Sequence, residues 1–231
     1  MTGMIETWTD IPLYPVMGEE LGAHNAIAID LSKDNEDLNR INLSDSEQFC
    51  SYVDNLRDTQ NKKYALGGYL ENRVIYSRSH VFATGSSVFR NIHLGVDIWA
   101  MPGTTVFCPL GGIIHSFQDN VGFGNYGPTL ILEHVLRGSK IYSLYGHLAK
   151  SDLGQFHTGK YLSAGELVGH LGEEKENGNW PAHLHFQLIY DLEGLIGDYP
   201  GVCRDSEVAH YAQNCPNPNG WLKCGLLQPI N

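Results

Sequence analysis

The stretch Ile92-His93-Leu94-Gly95-Val96-Asp97-Ile98 alternates apolar residues with a histidine, a glycine and an aspartate. On a β-strand successive side chains point to opposite faces, so the four apolar residues share one face and His93, Gly95 and Asp97 the other. Gly95 has no side chain and leaves room above the polar face. Ala182-His183-Leu184-His185-Phe186-Gln187-Leu188 repeats the device, with His183, His185 and Gln187 opposite Leu184, Phe186 and Leu188. In Ser143-Leu144-Tyr145-Gly146-His147-Leu148 the same reading sets Tyr145 and His147 opposite Leu144 and Leu148. Three strands therefore offer polar groups to one space while their other faces suit a core.

Around these stretches, from about Leu66 to Ile196, short β-branched and aromatic runs are separated by Gly, Pro and Asn turns, which predicts an all-β body. Thr105–Phe107, Gly112–Phe117, Thr129–Val135 and Ile141–Tyr145 are its clearest strands. Residues 1–65 read as an N-terminal extension with a strand at Ala26–Ile29 and one helix from about Ser44 to Leu56. Ser44 and Glu47 have capping-box spacing there, and Phe49, Val53 and Leu56 recur along one helical face. Residues 66–200 form the central domain of this reading, and the Pro-, Asn- and Cys-rich tail 201–231 is expected to be irregular and to wrap the surface.

The 231 residues are enough for one substantial core, and 42% hydrophobic with 18% charged residues is an ordinary globular balance. A net charge of -11 excludes a broad phosphate-binding surface, so nucleic acid is not an expected partner. No apolar run reaches the length of a membrane span, and Met1–Asp10 lacks a basic start followed by an apolar stretch, which gives a cytoplasmic expectation if the chain begins natively. Five cysteines without a C-x-x-C pair read as reduced thiols.

Zinc favours imidazole nitrogen and carboxylate oxygen, and a catalytic site combines three such ligands with an open position. Four histidines and one aspartate compete for those places here. His93 with Asp97 four positions on, Tyr145-x-His147-Leu148, and His183-x-His185, in that order, resemble the lysostaphin-type zinc endopeptidases and their LytM relatives. The resemblance runs from about Leu66 to Ile189. It implies antiparallel strands in a small sandwich-like barrel with the site in a groove. It also implies that Zn2+ is held by His93, Asp97 and His185, with His147 and His183 off the metal as the catalytic pair. A peptide or muropeptide substrate follows from the same likeness. The Glu173–Pro181 segment departs from the short Gly-Ser-rich turn of that family, and its acidic and bulky residues speak against glycine-rich cross-bridges. The segments around Gly68 and Arg73, Asn179-Trp180-Pro181 and Asp198–Cys203 are also similar to a peptidase domain within large fusions that carry phosphotransferase-like and aminotransferase modules.

Arg73 is a substrate-binding candidate, because a guanidinium fork near the metal suits a peptide carboxylate, although a surface salt bridge accounts for it nearly as well. Tyr126, Trp99 and Trp180 are read as packing residues, and His115, His134 and His170 as structural or surface histidines. Gly122–Gly127 matches a dinucleotide fingerprint, but a β run follows it instead of a helix. A non-hydrolytic zinc-binding regulator and a histidine phosphocarrier of related barrel fold are the alternatives; the intact ligand set opposes the first and Asp97 the second.

Overall fold

The computed structural model describes residue 8, residues 10–78 and residues 89–227. Most of the Met1–Asp10 stretch read above therefore lies outside the described residues. In chain order the elements are β1 (Ala26–Ala28), α1 (Ser46–Thr59), β2 (Tyr64–Gly67), β3 (Ile92–His93), β4 (Val96–Trp99), β5 (Thr105–Phe107), β6 (Gly112–Asn120), β7 (Gly127–Leu136), β8 (Ser139–Gly146), β9 (Tyr161–Leu162), β10 (Leu167–His170), β11 (His183–Ile189), β12 (Val202–Cys203), α2 (Val208–Asn214) and α3 (Asn219–Leu222).

Eight strands form one sheet in the order β1-β2-β4-β11-β8-β7-β6-β9, and β5–β10 and β3–β12 form two small pairs. Every pairing is antiparallel except β1 with β2. The mostly antiparallel β architecture expected from the strand runs is thus present, but the sheet stays open and no barrel closes. Its edge strands, β1 and β9, are three and two residues long. The apolar face is covered instead by Val106 and Val168 of the β5–β10 pair and by both ends of the chain, through Trp8, Ile11, Val16, Trp221 and Leu227.

The alternation read in β4 and β11 sorts the two faces. Val96, Ile98, Leu184, Phe186 and Leu188 enter the main core. Trp99 and Ala65, on the opposite face, join a second cluster with Leu31, Phe49, Val53, Ile75, Tyr76 and Trp180. The N-terminal segment therefore adds an edge strand and covers the polar face of the sheet. α1 starts two residues later than the Ser44 signal suggested. Its N-cap is Asp45, whose carboxylate accepts the N–H groups of Glu47 and Gln48. An ionised cap oxygen is the stronger acceptor for free N–H groups at the positive end of the helix.

The tail differs from its expected irregular, surface-wrapping form. It contains β12, α2 and α3, and it buries Cys203, Cys215, Trp221, Cys224 and Leu227. Helices of seven and four residues are too short for a periodic signal to show through the Pro- and Asn-rich composition. All five cysteines are free, as read. Among the described residues no helix is long and apolar enough to cross a membrane.

Candidate metal centre

Directly opposed residues on neighbouring strands share a face, and one such row runs Gly67, Asp97, His185, Gly146 across β2, β4, β11 and β8. The row is small at both ends. A Cβ at Gly67 would lie 2.4 Å from the Arg73 guanidinium, and one at Gly146 would lie 2.6 Å from the Tyr126 ring. Arg73 and Tyr126 therefore fold over the row and flank Asp97 and His185. The space above Gly95, left open in the sequence reading, is taken by the His185 imidazole, 2.7 Å from where a Cβ would stand.

His93, Asp97 and His185 bring one ligand atom each to within 4.8 Å of one another, and all three are buried. His93 Nδ1 donates to the Gly68 carbonyl at 2.9 Å, which leaves Nε2 bare towards the cluster. The Gln187 amide nitrogen donates to the Pro200 carbonyl, so its oxygen faces His185 and accepts from Nε2 at 2.9 Å. His185 is thereby left with a bare Nδ1. His93 Nε2 lies 3.0 Å from His185 Nδ1, and Asp97 Oδ1 lies 3.2 and 3.0 Å from those two nitrogens. Three lone-pair atoms with no proton between them repel unless a cation sits among them. Ligands held about 2.0–2.1 Å from a tetrahedral zinc stand about 3.3 Å apart, so the donor set and its spacing fit that ion.

Burial alone would raise the Asp97 carboxyl, but His93 and the Arg73 guanidinium hold it well below the ordinary range. Burial lowers His93 to about 4, which keeps its imidazole neutral as a ligand requires. Arg73 is only 2% exposed, so it is no surface salt bridge. Its donors go to Asp97 Oδ2, Glu71 Oε2 and the Tyr76 hydroxyl.

His147 and His183 stand beside the cluster with ring centroids 4.1 Å apart. His147 Nδ1 donates to the Asn177 carbonyl at 2.8 Å and His183 Nδ1 to the Pro181 carbonyl at 2.7 Å, which leaves both Nε2 atoms as acceptors. Burial lowers His147 well below its ordinary value and His183 to about 4, so both are neutral at pH 7. The expected sharing of a face by Tyr145 and His147 does not hold. Tyr145 lies in the main core, whereas the chain leaves β8 at Gly146 and His147 adopts φ 63°, which turns its ring towards the site.

Asp97, His147, His183 and His185 border a cavity of about 350 Å3 whose apolar wall includes Leu31, Phe49, Ile75, Trp180 and Val202. Tyr126, Trp99 and Trp180, read from the sequence as packing residues, also line it. The Tyr126 hydroxyl lies 3.3 Å from His185 Nε2, and burial pushes its phenol well above the ordinary value, so it remains a donor. Glu71 was not singled out from sequence, because an isolated glutamate carries no motif.

Residues 91–195 match the profile of Peptidase family M23. No curated protein matches the chain. Among solved structures, the lysostaphin catalytic domain of Staphylococcus simulans shares 19% identity over 75% of this chain and 97% of its own, with a TM-score of 0.43. A zinc-containing peptidase from Vibrio cholerae shares 24% over 48% of this chain and 29% of its own, with a TM-score of 0.34. An M23 peptidase candidate from Pseudomonas aeruginosa shares 18% over 59% of this chain, with a TM-score of 0.37, and this chain spans 45% of its length.

Proposed function

We propose that the protein is a zinc-dependent peptidase acting on short peptides, a reading that proceeds from the match of residues 91–195 to Peptidase family M23. The observation that carries this reading is the convergence of His93 Nε2, His185 Nδ1 and Asp97 Oδ1, each left bare by a fixed partner on the other side. These three residues would hold the ion, which when bound supplies an electrophile for the scissile carbonyl and makes water acidic enough to attack near neutral pH. His147 and His183, neutral and with bare Nε2 atoms, divide the remaining work. One takes the proton of the attacking water and the other serves the leaving amine or the developing oxyanion. The Asn177 and Pro181 carbonyls fix both tautomers for that purpose. Tyr126, kept protonated, adds a donor at the cavity wall.

The substrate class is read from the enclosure. All five imidazole and carboxylate residues are 1–4% exposed, and aromatic and aliphatic side chains form much of the wall. This favours a short peptide with a bulky apolar side chain, such as a peptidoglycan-derived peptide, over a glycine-only cross-bridge within a polymer. The test incubates zinc-loaded protein and its His183→Ala variant with intact sacculi, soluble muropeptides and short apolar peptides, and analyses the products by mass spectrometry. Fragments from the short peptides or the soluble muropeptides, absent with the variant, are expected; cleavage confined to intact sacculi would overturn the small-substrate reading, and no cleavage of any of the three would overturn the peptidase reading.

A further inference from the structure

We propose that Glu71 and Arg73 are positioning residues for the metal centre, and that through them the N-terminal segment sets how Asp97 is presented to a bound ion. The inference rests on the metal-centre reading above. A continuous file of hydrogen bonds carries it: the backbone N–H of Leu31 donates to Glu71 Oε1 at 2.9 Å, Arg73 Nε donates to Glu71 Oε2 at 2.6 Å, and Arg73 Nη1 donates to Asp97 Oδ2. Because Oδ2 is committed to Arg73, Asp97 turns only Oδ1 towards the two histidines.

The file is held on both sides. Ser32 bridges Arg73, and Lys33 N–H donates to the Asn72 carbonyl. On the other flank Leu70 N–H donates to the His93 carbonyl, His93 N–H to the Glu71 carbonyl and Arg73 N–H to the Asn91 carbonyl. The chain from Leu70 to Arg73 is thus zipped between the N-terminal segment and the strand that carries His93.

Packing locks the guanidinium as well. Arg73 Nη2 has no hydrogen-bond partner among the described residues; it lies over the bare Cα of Gly67 and the guanidinium stands 5.8 Å from the Trp99 ring centroid. A cation so placed would repel a bound metal ion unless compensated, and Glu71 supplies the compensating charge. The pair therefore orients Asp97 without setting a net positive charge beside the ion.

The test measures Zn2+ affinity by competition with a chromophoric chelator, and the visible spectrum of the Co2+-loaded protein, for wild type, Glu71→Gln, Glu71→Asp and Arg73→Lys. Glu71→Gln keeps the side chain's shape but loses its charge and leaves one acceptor oxygen for two donors. Its Zn2+ affinity is expected to fall about 10- to 100-fold, the range for partners of metal ligands. Glu71→Asp, which keeps the charge, should retain more of the affinity. Arg73→Lys keeps its charge without the fork, so its Co2+ spectrum should shift as Asp97 changes its presentation. Lower melting temperatures with wild-type Zn2+ affinity and an unaltered Co2+ spectrum would mean a merely structural role and overturn the proposal. If Arg73→Lys does not fold, the two Glu71 variants decide alone. A wild-type protein that takes up no Zn2+ removes the metal-centre reading, and this inference falls with it.

Discussion

His93 and His185 reach the cluster through different ring nitrogens, Nε2 for one and Nδ1 for the other, and the difference follows from their partners. A backbone carbonyl takes the proton of His93 Nδ1, while the Gln187 oxygen takes that of His185 Nε2. Sequence spacing placed both imidazoles on one face but carried no information on which nitrogen would be bare, because the His93 tautomer is set by Gly68, 25 residues away, and the His185 tautomer by Gln187, whose own amide is oriented by the Pro200 carbonyl. At this scale two outcomes are expected. His185→Ala removes one of the three proposed ligands, so zinc that survives dialysis in the wild type should be lost, as read by metal analysis of the dialysed proteins. His183→Ala leaves all three ligands in place; zinc should remain and kcat should fall about 100-fold or more, the loss typical of a general acid or base. Wild-type kcat in that variant would remove His183 from the reaction.

Among the elements, β4 and β11 present Asp97, His183 and His185 directly, and their alternation needs no correction by tertiary context, whereas His93 lies on β3, which pairs with β12. β8 is different. Its period breaks at Gly146, and the left-handed backbone of His147 reverses the face that simple alternation assigns. Gly95→Ala tests the close packing of β4 on β11. The added methyl would meet the His185 ring and the Phe186 carbonyl at 2.7 and 2.8 Å, so one or both must shift. A loss of about 1–3 kcal/mol is expected from denaturant unfolding, together with weaker zinc retention. For α1, Asp45→Ala removes the acceptor of two N–H groups and should cost about 1 kcal/mol in the same measurement. No change would mean that Gln48 or solvent replaces the cap.

At the scale of the whole molecule, buried neutral histidines couple the fold to pH. His134 is outside the centre, 1% exposed and held between the Gly111 carbonyl and the Ser143 hydroxyl, and burial lowers it to about 4. Its unfolded value is about 6.5, so between pH 6.5 and 4 the unfolded chain binds a proton that the folded chain refuses. Stability is therefore complete above about pH 6.5 and declines as the pH falls towards 4. The His134 contribution lost by pH 5 is on the order of 2 kcal/mol. Urea midpoints at pH 7 and pH 5 should differ less for His134→Asn than for wild type; equal differences would show that His134 is not the responsible group.

The sequence by itself determined the strand-rich body and the faces of β4 and β11, because period-two alternation is a local property of the chain; the choice of His93, Asp97 and His185 among the competing groups came only with the family resemblance. It also placed α1 to within three residues at either end, through a helical period long enough to register. Tertiary structure alone decided the rest. Whether the sheet closes depends on what covers its apolar face, and here both chain ends and the β5–β10 pair do so. The tail's short helices draw their stability from burial of Trp221 and its neighbours, a contribution no local pattern reveals. Arg73 reads as a surface or substrate-facing cation until folding buries it between Glu71 and Asp97, a placement no local pattern reveals.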